Sequence, residues 1–257
     1  MTDNSNSLIK DFTRYFSIQL VTSEQQAREV YGVRYRVYCE EFKYEATDLF
    51  PEKIETDEFD KQSLHCLIIH KETGRSAGCV RLVPVCAELE SGLLPFEKFC
   101  QQSLDGQLIE SFHLQRDTEC EISRLAVDTA FRRRPGEAAT RFGEIDSMDC
   151  SKQEQRTFSL IAVSGFLAAT AVTALTKKTN VFAMMEPFLP RLLKRSGILF
   201  ERVGSDVDYH GIRAPYFIKT QSALDNMRPD LKEMYDWVYQ QVAADYKVLA
   251  AVSKQQP

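Results

Sequence analysis

Apolar residues alternate with polar ones in some stretches and recur every three to four residues in others. These two periods predict the elements of the chain. The run FSIQLV (Phe16–Val21) reads as a strand, and TSEQQAREVYGVRYRVYCEEF (22–42) as a helix that Thr22 or Ser23 can cap, with Glu24 in its first turn. Val30, Val33 and Val37 share one helix face, and Tyr31, Arg34 and Tyr38 the adjacent one. SLHCLIIHK (63–71) and SAGCVRLVPV (76–85) flank ETGR, which predicts a hairpin turning at Gly74. Residues 88–117 read as irregular chain or short helix, and ECEISRLAVD (119–128) as a central strand. A basic loop (131–143) precedes an apolar helix from about Phe158 to Thr176. TNVFAMME (179–186) then reads as a strand, PFLPRLLKRSG (187–197) as a short helix closed by Gly197, and LFERVG and APYFIKT as strands. A last helix, about 228–252, places Leu231, Met234, Trp237 or Val238, Val242 and Leu249 on one face.

With no repeat and no linker, this order predicts a single α/β domain, a mixed sheet with helices on both sides. Its parts are a flexible polar tail (1–14), the domain proper (15–222) and an amphipathic helical extension (223–257). No glycine-rich phosphate fingerprint follows the first strand, which argues against a dinucleotide fold.

Composition narrows the function classes. A net charge of −5 gives no basic face for nucleic acid. The longest apolar run, Ile161–Leu175, contains Ser and Thr and is short for a bilayer, so it reads as a buried helix and no membrane span is expected. The start of the chain has no secretory pattern. Seven scattered cysteines without a C-x-x-C pair, and four scattered histidines, predict reduced core thiols, a cytoplasmic setting and no metal site.

Charge is concentrated in two places. RYRVYCEEFKYE (Arg34–Glu45) and IETDEFD (Ile54–Asp60) read either as a solvated helix followed by an acidic loop or as one wall of a site for a polar ligand. The motifs RYRVY, IETDEFD, GCVRLVP, EISRLAV and PFLPRLLKRSG stand in the order and at the distances of the acyl-homoserine-lactone (autoinducer) synthases, which the chain resembles over about residues 16–220. It also resembles the long-chain N-acyl amino acid synthases. In the wording RYRVYCEEF and the longer C-terminal part, it is most similar to the PEP-CTERM/exosortase-associated acyltransferases.

The resemblance implies a GNAT-like acyltransferase fold with a mixed, mostly antiparallel central sheet flanked by helices. The implied activity is transfer of a fatty acyl group from an acyl carrier protein or CoA thioester to an amine, with no tightly bound cofactor. It places the acceptor site on Arg34, Tyr38, Tyr44, Asp57, Asp60 and Arg81, and the catalytic element on Glu121, Ser123 and Arg124. Tyr44 stands where the lactone synthases usually have Trp, and the segment from Tyr44 to Glu55 is longer. The acceptor therefore stays open between an S-adenosylmethionine-like and an amino acid-like amine.

Acyl transfer to an ammonium group needs a base, an oxyanion site and a way out for the thiolate. Glu121, between apolar neighbours on its strand, suits the base because burial raises a carboxylate's pKa. An ion pair of Glu121 with Arg124 at a strand end is the plainer alternative, and a structural ion network the plainer reading of the other charges. The loop RRPGEA fits the phosphate-binding pattern of acyl-CoA enzymes at Arg133, Gly136 and Ala138, but Pro135 removes a needed N–H. Carrier protein is thus the expected donor, docked on basic residues drawn from Arg132–Arg134, Arg191 and, chiefly, Lys177, Lys178, Lys194 and Arg195. Phe166, Leu167, Ala171, Phe182, Met184, Met185, Phe188 and Leu189 are candidates for an acyl groove. The competing classes are a non-catalytic acyl-chain or carrier-protein binding module of the same fold, and a partner-binding scaffold built on the last helix.

Overall fold

The computed structural model describes residues 3–87, 92–132 and 157–253. Within them, eight strands form one sheet: β1 (Phe16–Leu20), β2 (Leu64–His70), β3 (Ser76–Pro84), β4 (Glu119–Val127), β5 (Asn180–Met185), β6 (Glu201–Arg202), β7 (Val207–Asp208) and β8 (Ile212–Lys219). Their spatial order is β1-β2-β3-β4-β5-β8-β6, with β7 also against β8. Every pairing is antiparallel except β4 with β5, which run parallel. The mixed, mostly antiparallel sheet expected from the sequence is therefore present. LFERVG contributes only a two-residue strand, and β7 was hidden in a polar stretch.

Alternation along β2 and β3 feeds both faces of the sheet. On one face Cys66, Ile68, Val80 and Leu82 meet α5 (Ser159–Thr176), against which α8 (Pro229–Ser253) lies. On the other, Leu67 and Cys79 meet Val30, Val33 and Val37 of α2 (Glu24–Tyr35) and the turn after it. Farther along that second face, α3 (Pro95–Cys100) and α4 (Gly106–Ser111) cover Val83, Phe182 and Phe217. Two short helices, α6 (Leu189–Lys194) and α7 (Thr220–Asn226), complete the domain.

Three local features shape the region where α2, β3 and β4 meet. Ser23 and Gln26 form a reciprocal capping box that starts α2, each side chain accepting from the other's main-chain N–H. Its end widens into a π-helical turn, Arg36–Glu41, closed by an N–H of Phe42 donating to Val37 O at 3.1 Å. In the β3–β4 ladder, Arg81 faces Ser123 and Cys79 faces Ala126, so Arg124 and Leu125 together oppose Val80. This is a β-bulge, and Arg124 within it has φ 51°, a left-handed conformation disfavoured for any residue with a Cβ.

Two expectations are corrected. The start of the chain is not a flexible tail: α1 spans Asp3–Tyr15, and Phe12 stacks on Phe16 and meets the edge of Trp237 in α8. Burying a phenylalanine stabilises by about 1.5–3 kcal/mol, which offsets part of the entropy of ordering the helix. The C-terminal helix is likewise part of the core, with Met234, Val238 and Val242 fully buried, because it covers α5 and the edge strand β1. Asp245 accepts the Leu20 N–H of that edge at 2.9 Å. By length and composition α5, at 18 residues, passes for a membrane span, yet half of it is buried inside the fold as a core helix.

Candidate active site

β4 and β5 are paired only through Glu119↔Asn180, Cys120↔Val181 and Glu121↔Phe182, and then part. A cleft open to solvent occupies the gap. Its walls are residues 121–125 of β4, residues 183–186 after the divergence, Phe166 of α5 and Leu189 of α6. Tyr38, Pro95, Tyr209 and Arg213 close it on the other side of the sheet. A second, small and mostly apolar pocket shares Ile122, Phe166 and Ala183 with the first and runs on to Thr173, Ile198 and Phe200.

Glu121 stands at the apex of the gap. Its neighbours across the sheet are Val83 and Phe182, and Phe96 stacks on Phe182 with ring centroids 4.7 Å apart. Burial in this apolar corner pushes its carboxyl up to about 7, against the pull of the Phe96 N–H, which donates to Oε2 at 2.7 Å, and of Arg81 and Arg124. A carboxylate with a pKa near neutrality can accept and release a proton under ordinary conditions.

Behind the cleft lies a network of three guanidinium groups and three carboxylates. Arg34 donates Nε to Glu55 and Nη1 to Asp60 Oδ1 at 2.6 Å. Arg81 donates Nη1 to Asp57 Oδ1 (2.6 Å) and Asp60 Oδ1 (2.9 Å), and Nε to the Ser123 hydroxyl (3.1 Å). Arg124 donates Nη2 to Glu55 Oε1 (3.0 Å) and Asp57 Oδ2 (3.2 Å). Burial alone would raise the Glu55 carboxyl, but Arg34 and Arg124 outweigh it and hold the group down at about 2. For Asp60, Arg34 and Arg81 outweigh burial in the same way and hold it well below the usual carboxylate range. His65, 3.6 Å from Asp60, is pushed down to about 4, chiefly by burial.

Arg124 is where this network reaches the cleft. Its guanidinium lies over the Tyr38 ring at 5.2 Å, and its charge acts on the Tyr209 hydroxyl. A ladder of stacked rings, Phe42–Tyr44–His210–Tyr209–Phe99, runs beside the opening with centroid spacings of 5.4, 5.5, 4.6 and 5.9 Å. His210 Nε2 meets Glu45 Oε1 at 2.9 Å and ties the ladder together.

Of the residues singled out in the sequence, Glu121, Ser123, Arg124 and Tyr38 line the cleft. Arg34, Asp57, Asp60 and Arg81 are gathered behind them, and Arg34, expected at the acceptor, is wholly buried with Glu55 and Asp60. Tyr44 stands in the ring ladder. Of the groove candidates, Phe166, Met184, Met185 and Leu189 line the cleft. Phe182 packs in the α3–α4 cluster, Leu167 and Ala171 belong to the core beside α5, and Phe188 is exposed.

Lys178 is not free for docking: its ammonium donates to the carbonyls of Val85 and Asp117, both at 2.6 Å. Lys177, Lys194 and Arg195 are exposed. The loop RRPGEA (133–138) lies outside the described residues. Tyr209 and Arg213 are site residues that sequence reasoning missed. They sit in the β7–β8 turn and on β8, joined to Arg124 and Tyr44 only by the fold, and no spacing announces them. Among the described residues, no cluster of His, Cys, Asp and Glu is arranged to hold a metal ion.

Residues 33–141 match the acetyltransferase (GNAT) domain family. No curated protein matches the chain by sequence. Solved structures with a similar fold include TofI, in a ternary complex with an inhibitor and MTA: TM-score 0.56, 19% identity, covering 84% of this chain and 99% of that one. Another is BjaI, a CoA-dependent acyl-homoserine lactone synthase with SAM and isopentyl-CoA: TM-score 0.57, 14% identity, covering 87% and 89%. A third is FeeM, an N-acyl amino acid synthase from uncultured soil microbes: TM-score 0.51, 12% identity, covering 85% and 97%.

Proposed function

With a GNAT-type acyltransferase fold established around this cleft, we propose that the protein moves a fatty acyl group from an acyl carrier protein or CoA thioester to a small amine. The observation that carries the reading is Glu121: a buried carboxyl with a near-neutral pKa at the point where the central strands part. The thioester enters between β4 and β5, and its carbonyl rests against the β4 main chain, where N–H groups stabilise the oxyanion. Glu121 takes the ammonium proton, directly or through one water. The freed amine attacks the carbonyl carbon, and the tetrahedral adduct collapses by breaking its C–S bond, the extra N–H proton of the adduct passing to the sulfur, which leaves as a thiol. The acyl tail follows Ile122 and Phe166 into the apolar second cavity.

The acceptor stands on the side of Tyr38, Arg124 and Tyr209, with the edge of Asp57 behind. Arg34, Arg81, Asp60 and Glu55 act one layer back, fixing Arg124 and Ser123. Both amine classes remain in the reading, since the similar structures include a synthase holding SAM and an N-acyl amino acid synthase. The RYRVYCEEF wording supports a place in the PEP-CTERM/exosortase-associated branch, and the scattered thiols a cytoplasmic one. The test is mass spectrometry of lipids from cells overproducing the wild type or Glu121→Gln. An N-acylated amine made only by the wild type is expected. A bound but unconverted acyl chain would favour the binding-module alternative.

A further inference from the structure

α3 is built around its contact with Glu121. Pro95 has no N–H, so the first donor inside the helix is Phe96, and that N–H goes to Glu121 Oε2 at 2.7 Å. Two side chains fix this start of the helix. Glu97 Oε2 accepts the Leu94 N–H at 2.7 Å. Arg116 then grips both oxygens of Glu97, Nη1 to Oε1 at 2.7 Å and Nη2 to Oε2 at 2.6 Å. The same guanidinium reaches Glu119 Oε2, two residues before Glu121 on β4, at 2.7 Å, and the Gly92 carbonyl at 2.7 Å. Arg116 thus staples the start of α3 to the strand that carries Glu121, without touching Glu121.

We propose that Arg116 and Glu97 are positioning residues for Glu121, acting through the main chain of α3. This rests on the reading of Glu121 as the base. The charged and titratable groups facing Glu121 are Arg81 from β3, Arg124 and Cys120 from β4, Asp57 from the acidic loop, Cys100 from α3 and Tyr209 from the β7–β8 turn. Arg116 lies outside that group, its charge being paired with Glu97 and Glu119, and the route from it to Glu121 on the page is the main chain of α3. Substituting it loosens the one N–H bound to the carboxylate, and such a donor favours the ionised form. Arg116 is 40% exposed but bidentate to Glu97 and paired to the buried Glu119, so its loss also lowers Tm, and the Glu121 midpoint is the readout that a merely structural role would not move.

The experiment is a pH titration of protein carrying ¹³Cδ-labelled glutamate, with the Glu121 resonance assigned by its loss in Glu121→Gln. Beside it runs the pH profile of kcat/KM for octanoyl-CoA with the amine found in the product screen. In Arg116→Gln and Glu97→Ala the Glu121 midpoint and the acid limb should both rise by about 0.5–1 pH unit, with the high-pH plateau kept. Arg116→Lys should restore part of the shift. An unmoved midpoint in a folded Arg116→Gln overturns the proposal, whatever happens to the rate. A midpoint that moves while the acid limb stays supports the positioning and removes Glu121 from the role of base.

Discussion

Glu121 and Phe182 are the last residues paired between β4 and β5, and the carboxyl therefore looks into the gap that opens beyond them. In the proposed reaction a base at this apex would meet both substrates, with the thioester along the parted strands and the amine on the Tyr38 side. Glu121→Gln keeps the shape and the bond from Phe96 but cannot take a proton. Turnover should fall by about 10²–10⁴-fold, with an unchanged far-ultraviolet spectrum. Wild-type kcat in this variant would move the base elsewhere, to a water held by Ser123 or to Asp57.

The same group should leave a mark on stability. Its folded pKa, near 7, lies above the ordinary value of 4.5, so the folded protein holds this proton more tightly than the unfolded chain. The stability it contributes is complete below about 4.5 and is lost as pH rises through about 7. Glu121→Gln removes that loss. The difference in Tm, variant minus wild type, should therefore be more positive at pH 8 than at pH 5, read by differential scanning calorimetry. A difference independent of pH would contradict the assignment of a buried, near-neutral carboxyl.

Within the ion network, burial separates structural from substrate-facing groups. Asp60→Asn weakens the pairing of two buried guanidinium groups, Arg34 and Arg81. Leaving such charges uncompensated costs about 3–5 kcal/mol, or roughly 6–20 °C in Tm for a domain of this size. Arg34→Ala should act in the same way. Asp57, 23% exposed at the edge of the network, is different: Asp57→Asn should raise the acceptor KM and change Tm little. A large fall in Tm for Asp57→Asn, with KM preserved, would make it structural too.

The legibility of each feature in the sequence depends on what sets it. Val30, Val33 and Val37 and the alternation of β2 and β3 report burial, and the helix and hairpin were readable from them. EISR was readable as a candidate site only in company with the four other motifs, and its side chains line the cleft. Three things were not legible. α1 looks polar because its apolar residues are few, and Phe12 packs on a partner distant in sequence, Trp237. The burial of Arg34 could not be seen, since nothing local distinguishes a guanidinium that holds a loop from one that holds a substrate. Lys178 looks like any surface lysine until the fold brings the carbonyls of Val85 and Asp117 to it.

The donor is decided at the surface. α6 begins with Leu189 in the wall of the cleft and ends with the exposed Lys194 and Arg195, with Arg191 exposed between. Phe188, Leu192 and Leu199 are exposed beside these charges, so the patch offers apolar contact ringed by positive charge. An acidic carrier protein docked there could pass its pantetheine arm into the gap between β4 and β5, whereas free CoA has no need of the patch. Contacts between exposed charges are screened over about 8–10 Å at ordinary ionic strength. Transfer from acyl carrier protein should therefore weaken steeply with salt, and transfer of the same acyl chain from CoA should not. Charge reversal, Lys194→Glu or Arg195→Glu, should lower kcat/KM for the carrier protein about tenfold or more and leave the CoA reaction unchanged, because close charge pairs across an interface can contribute about 1.5 kcal/mol or more. Lys178→Glu serves as a contrast: it breaks two main-chain contacts and should lower Tm without separating the donors. A higher kcat/KM for acyl-CoA, with no salt dependence for the carrier protein, would make CoA the donor and leave α6 without this partner.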